Sequence, residues 1–143
     1  MYGQSTLASH ASHLASIEIS NIPDRSGQIL RNDLVDRLSP SGLPVNPQYR
    51  LDITNLQEEI RDLDITIRSD TTREQMKITA DMKLVDLATN QPVLMKTLSA
   101  RGSYNILENE YTSRVSQQDL RNDLLEKIAL QVERYTSLHL SAH

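Results

Sequence analysis

The spacing of apolar residues changes along this chain, and each change predicts an element. In ASIEISNI, Ile17 and Ile19 alternate with polar neighbours, the period of a short half-buried strand. The stretch NIPDRSGQILRNDLVDRLSPSG then switches to helical spacing. At 100° per residue, Gly27, Leu30, Leu34 and Leu38 fall on one stripe, with Val35 at its edge. Asp24, after Pro23, is the candidate N-cap, with Ser26 as the alternative. Pro40 and Gly42 end the helix. Alternation resumes in QYRLDITNLQ through Tyr49, Leu51 and Ile53, and again from Ile60 to Arg68 through Leu63, Ile65 and Ile67. This is one long strand with a bulge near Gln57–Glu59, or two strands; the long bulged strand is preferred.

After the polar turn SDTTR, the cleanest alternation in the chain runs from Glu74 to Asp86. Met76, Ile78, Ala80, Met82 and Leu84 share one face; Lys77, Thr79, Asp81 and Lys83 share the other. LATNQP makes a turn in which Asn90 can take positive φ, and Val93 to Tyr104 returns as the second arm of an antiparallel hairpin. Ser116 is the expected N-cap of a final helix, with Asp119 three residues on. Its stripe is Leu120, Leu124, Ile128, Val132, Tyr135 and Leu138. The pattern predicts an α+β fold of order β-α-β-β-β-α. It is a two-layer sandwich, with two helices on one face of a mostly antiparallel, or mixed, four-stranded sheet. Residues 1–13 are small and polar without period and read as a flexible tail; residues 14–143 read as a single domain.

Two segments are nearly the same: LRNDLVDRL from Leu30 and LRNDLLEKI from Leu120. Their flanks differ, so duplication is a poor explanation. Two helices lying on one sheet each need Leu at i and i+4, polar residues between, and an acid four before a base. Asp33–Arg37 and Asp123–Lys127 supply those pairs, each expected to contribute a few tenths of a kcal/mol.

Composition narrows the function. The 143 residues contain no Cys, so neither a disulfide framework nor a thiolate metal site is available. Phe and Trp are missing too, and Lys+Arg 15 against Asp+Glu 19 gives a net charge of −4. Aromatic stacking platforms on a basic surface are therefore lacking, which argues against nucleic acid as a partner. There is no apolar run long enough to span a membrane and no visible signal peptide.

Candidate chemistry is sparse. No nucleophile elbow or phosphate-binding glycine loop occurs. His10 and His13 form an H-x-x-H in the polar tail without a third ligand, and His139 and His143 carry no motif, so no metal or other cofactor is implied. Glu58, Glu59, Asp62 and Asp64 read as a solvated strand edge that discourages stray pairing. No enzyme constellation converges. The basic residues are more suggestive. Arg68 and Arg73 bracket the SDTTR turn, Lys77 and Lys83 share the polar face of the next strand, Arg101 follows on its partner, and Arg114 precedes the last helix. Together they can form a cationic patch suited to phosphate groups on an otherwise acidic protein.

The segments YG, IPDRSGQILRNDLVDRL, YRLDI, TTREQMKITADMKLVDLATNQPVL, ARGSYN and SQQDLRNDLLEKIALQV occur in an order and spacing that resembles the lipopolysaccharide-assembly lipoprotein family (LptE), from Tyr2 to about Tyr135. The resemblance implies a non-enzymatic outer-membrane lipoprotein facing the periplasm. It implies that the protein plugs and supports a large β-barrel partner and binds lipopolysaccharide during insertion into the outer leaflet. It also implies a lipid-bearing Cys and leader ahead of Tyr2-Gly3. Family members bind lipopolysaccharide through basic residues at the turn before the third strand and near the second helix entrance. Arg68 matches the first position, with Arg73 and Lys77 as alternatives, and Arg114 matches the second. The competing reading is an auxiliary lipoprotein of an ABC-type lipid transporter; co-purification with a barrel or with an inner-membrane complex separates the two.

Overall fold

A computed structural model describes residues 16–40, 42, 44–64, 72–106 and 110–141. Four strands and two helices follow in the expected order. They are β1 (Ile17–Ile19), α1 (Asp24–Leu38), β2 (Tyr49–Asp64), β3 (Thr72–Asp86), β4 (Gln91–Ile106) and α2 (Glu110–Ser141). The sheet order is β1-β2-β3-β4. β1 is parallel to β2, with Ile17 opposite Tyr49, and the other two pairings are antiparallel. The crossover from β1 to β2 runs through α1, as a parallel connection requires.

Alternation along β3 decides what each face becomes. Met76, Ile78, Ala80, Met82 and Leu84 are buried beneath the helices, joined by Leu51 and Ile53 from β2 and Leu98 and Ala100 from β4. α2 lies over β3 and β4, while α1 packs against α2 and β1. The two LRNDL segments supply matching stripes. Leu30, Leu34 and Leu38 of α1, and Leu124 and Ile128 of α2, are all 0% exposed. Gly27 explains how α1 starts so close to the chain feeding it. A Cβ there would sit 2.6 Å from the Ile22 carbonyl oxygen. Gly102 plays a softer version of the role, its open side filled by a Leu120 methyl.

Several details depart from the sequence reading. The β2 bulge falls between Thr54 and Gln57, earlier than Gln57–Glu59, with Asn55 at φ 54°; a second shift lies between Asp62 and Asp64. Asn tolerates the left-handed conformation better than the charged residues that follow. The first helix begins at Asp24, but Asp24 makes no side-chain capping bond and itself takes φ 71° after Pro23. The second helix starts at Glu110, so Ser116 lies inside it rather than capping it, and Arg114 sits in its second turn rather than ahead of it. Leu138 is 60% exposed, because α2 turns Leu125, Ala129, Thr136 and Leu140 inward instead. Asp33 pairs with Arg37 at 3.0 Å, whereas Asp123 and Lys127 form no ion pair among the described residues. Arg37 also reaches Glu126 at 3.6 Å and Glu133 at 3.3 Å on α2, so it ties the two helices together. Burial pulls the pKa of Arg37 down, yet Asp33 and Glu133 outweigh it and leave it above the usual arginine value.

Candidate functional site

The helices cover one face of the sheet; among the described residues nothing packs over the other. It is built from every second residue of three strands, and cross-strand register places its charges. On β2 the open side carries Asp52 and Thr54 and then, because the bulge inserts one residue, Gln57, Glu59 and Arg61. On β3 it carries Arg73, Gln75, Lys77, Thr79, Asp81 and Lys83. On β4 it carries Thr97, Ser99, Arg101 and Ser103.

In the half of this face near β1 both carboxylates are hydrogen-bonded. Asp52 accepts a hydrogen bond from Ser20 Oγ at 2.5 Å and another from Arg50 Nε at 3.2 Å. Asp81 accepts from Thr97 Oγ1 at 3.0 Å and from Asn55 Nδ2 at 3.4 Å. Lys83 stands opposite Asp52. The far half is different. Glu59, Lys77 and Arg101 form one cross-strand row, with Lys77 directly opposite Arg101. Arg61 lies two residues along β2 on the same face, its Nε 2.9 Å from Glu59 Oε1. Glu59, Arg61, Gln75, Lys77 and Arg101 line a depression of ≈ 80 Å³. Among the described residues neither Lys77 nor Arg101 has an ion pair or hydrogen-bonding side-chain partner.

The helix side of the same end is a polar clamp. Arg121 donates through Nε and Nη2 to Glu58 at 2.5 and 2.9 Å, and through Nη1 to Gln118 at 2.6 Å. The Glu58 hydrogen bond raises the Arg121 pKa above its ordinary value, against the effect of burial. Tyr104 donates to Glu74 Oε2 at 2.9 Å and accepts from Gln117 Nε2 at 3.1 Å. Burial, then the Glu74 carboxylate, push the Tyr104 phenol up. These contacts hold the first turns of α2 against the start of β3 and the end of β4. Lys96 belongs to this side too, its ammonium 5.2 Å above the Tyr135 ring, so it is not part of the open-face charge.

The basic residues anticipated from the sequence are thus divided. Arg73 and Lys77 lie on the open face, Arg73 exposed and nearer the start of β3. Arg114 is exposed on α2, at the same end of the molecule. Arg68 lies outside the described residues, as do His10 and His13. Arg61 escaped the sequence reading, since only the position of the bulge decides which face it takes. Of the four carboxylates read as a solvated edge, Glu58 and Glu59 are engaged by Arg121 and Arg61. Among the described residues, no group of three His, Asp or Glu side chains is placed to hold a metal ion. Nor, among the described residues, is any helix long and apolar enough to cross a membrane.

Residues 14–136 match the sequence profile of the lipopolysaccharide-assembly family, LptE. The chain belongs to that family. Solved structures share its fold. A Caulobacter crescentus CB15 protein described as a lipoprotein superposes with a TM-score of 0.74 at 22% identity, over 95% of this chain and 98% of that one. A minor lipoprotein from Acinetobacter baumannii gives 0.64 at 20% identity, over 85% and 88%. The rare lipoprotein B from Shewanella oneidensis gives 0.63 at 14% identity, over 87% and 96%. No curated protein matches the sequence. LptE membership assigns this chain to lipopolysaccharide assembly, among accessory lipoproteins of outer-membrane transport rather than among enzymes.

Proposed function

We propose that this LptE-family protein supports and plugs a large outer-membrane β-barrel, and binds lipopolysaccharide as it passes to the outer leaflet. A lipid anchor ahead of the folded domain holds it to the periplasmic side of that membrane, and residues 1–13 act as the tether. The family match over residues 14–136 carries the reading. The placement of basic residues supports it, since a chain of net charge −4 sets Arg73 and Arg114 at one end of the sheet and Lys77 part-way along the same half. Lipopolysaccharide is polyanionic, and clustered cations raise both its local concentration and its affinity where isolated surface charges contribute little.

Arg68 and Arg114 hold lipid, with Arg73 and Lys77 as further contacts. The Arg68→Ala/Arg114→Ala double variant is expected to lower lipopolysaccharide capture in a pull-down while its circular dichroism stays native. Unchanged capture by a natively folded variant would overturn that assignment. Co-purification tests the partner. A β-barrel recovered with the tagged protein supports the reading, and an inner-membrane transporter complex in its place contradicts it.

A further inference from the structure

The open face of the sheet holds a feature that ordinary surface charge does not explain. Like charges directly opposite one another across an antiparallel pair destabilise it, and Lys77 faces Arg101 in this way. The acid that could offset them, Glu59 on the other flank of Lys77, directs Oε1 to Arg61 Nε at 2.9 Å. Lys83, on the same face, stands between Asp52 and Met95 and meets no second cation. Three cations and one carboxylate therefore share a depression of ≈ 80 Å³, with the Gln75 amide as a further lining group.

From this we infer that Arg61, Lys77 and Arg101 form a binding site for a phosphate group, separate from the end of the sheet where Arg73 and Arg114 lie. The chemistry fits a phosphomonoester. Its charge offsets the surplus of the three cations over Glu59. Arg101 presents a planar fork of N–H donors that matches phosphate oxygens in pairs, and Lys77 adds a compact charge with three donors. Arg61 is held by Glu59 through Nε, which orients its guanidinium and leaves the two terminal nitrogens to donate. Binding also relieves the repulsion between Lys77 and Arg101. Resting on the lipopolysaccharide reading above, the ligand is a phosphate carried by the lipid A headgroup, which seats part-way along the strands while the cations at the end of the sheet meet the rest of the molecule.

The test uses the purified chain, the Lys77→Gln/Arg101→Gln double variant and a Lys83→Gln control from the other half of the face. Each is titrated with lipopolysaccharide, with lipopolysaccharide stripped of its lipid A phosphates, and with inorganic phosphate followed by side-chain NMR. Charge-assisted hydrogen bonds of the usual strength predict a loss of about tenfold in affinity for intact lipopolysaccharide in the double variant. The stripped form binds the double variant and the wild type equally, and Lys83→Gln behaves as wild type throughout. The melting temperature of the double variant stays at or above wild type, because a repulsive pair has been removed. Equal affinity of wild type and double variant for intact lipopolysaccharide, with no phosphate-induced shift at Lys77 or Arg101, overturns the site. If the wild type ignores both lipids yet inorganic phosphate shifts Lys77 and Arg101, the site stands with free phosphate as its ligand, and the lipid-binding reading falls.

Discussion

The two faces of the sheet come from the same strands, separated only by alternation, yet they follow opposite rules. On the helix side the middle of the sheet is apolar and close to 0% exposed, and at its edge Arg121 and Tyr104 engage Glu58 and Glu74. On the open side the residues are mostly polar, and in one half two cations, Lys77 and Arg101, stand directly opposite one another. The first face explains why the chain folds. The second, at the place where its charges fail to match, is where binding to another molecule has the most to gain.

Changes on the two faces should therefore separate stability from binding. The largest effect is expected in the core. Leu34→Ala and Leu124→Ala should each lower the unfolding free energy by about 2–5 kcal/mol in chemical denaturation, since both side chains are fully buried. Similar losses from the two would confirm that the LRNDL twins play one structural part. Gly27→Ala comes next. Ala ordinarily favours a helix, but here its Cβ meets the Ile22 backbone, and a loss of about 1–3 kcal/mol is expected. Gly102→Ala should be milder, because the Leu120 methyl it meets can swing aside. Wild-type-like stability in Gly27→Ala would contradict the close approach.

Arg121→Ala should cost about 1–2 kcal/mol, because it leaves the Glu58 carboxylate without its forked partner. The smallest effect is one of pH. Tyr104 has its folded pKa raised, so its contribution to stability is fully present below the ordinary tyrosine value of about 10. That contribution is lost as pH rises through the higher folded value. Denaturation between neutral and strongly alkaline pH should show a steeper decline for wild type than for Tyr104→Phe; parallel curves would contradict the raised phenol. None of these six changes alters the open face, and each should leave lipopolysaccharide affinity intact in protein that remains folded.

The same contrast explains what could be read in advance. Order and layers were legible because they depend on period alone: Met76 through Leu84 alternates, and Leu30 through Leu38 repeats at helical spacing. The family resemblance was legible too, being carried by segments spread over the chain, and the profile match over residues 14–136 agrees with it. Contacts set by three-dimensional register were not. The identical spacing of Asp33–Arg37 and Asp123–Lys127 gave two expected ion pairs, but only Asp33 has its base in reach; α1 and α2 face different neighbours. Arg61 could not be assigned a face until the bulge was located at Asn55, two to four residues before the expected place. Ser116 looked like a helix start because a Ser with an acid three residues on satisfies the local rule, but that rule does not exclude a further turn ahead of it, and α2 begins at Glu110.

The central claim is that basic residues toward one end of this acidic protein hold lipopolysaccharide. The most direct test is equilibrium binding of lipopolysaccharide to the wild-type chain across a range of ionic strength. The account predicts saturable binding that weakens steadily as salt shortens the reach of the exposed charges. Binding that is lacking at low salt, or indifferent to salt, would contradict it.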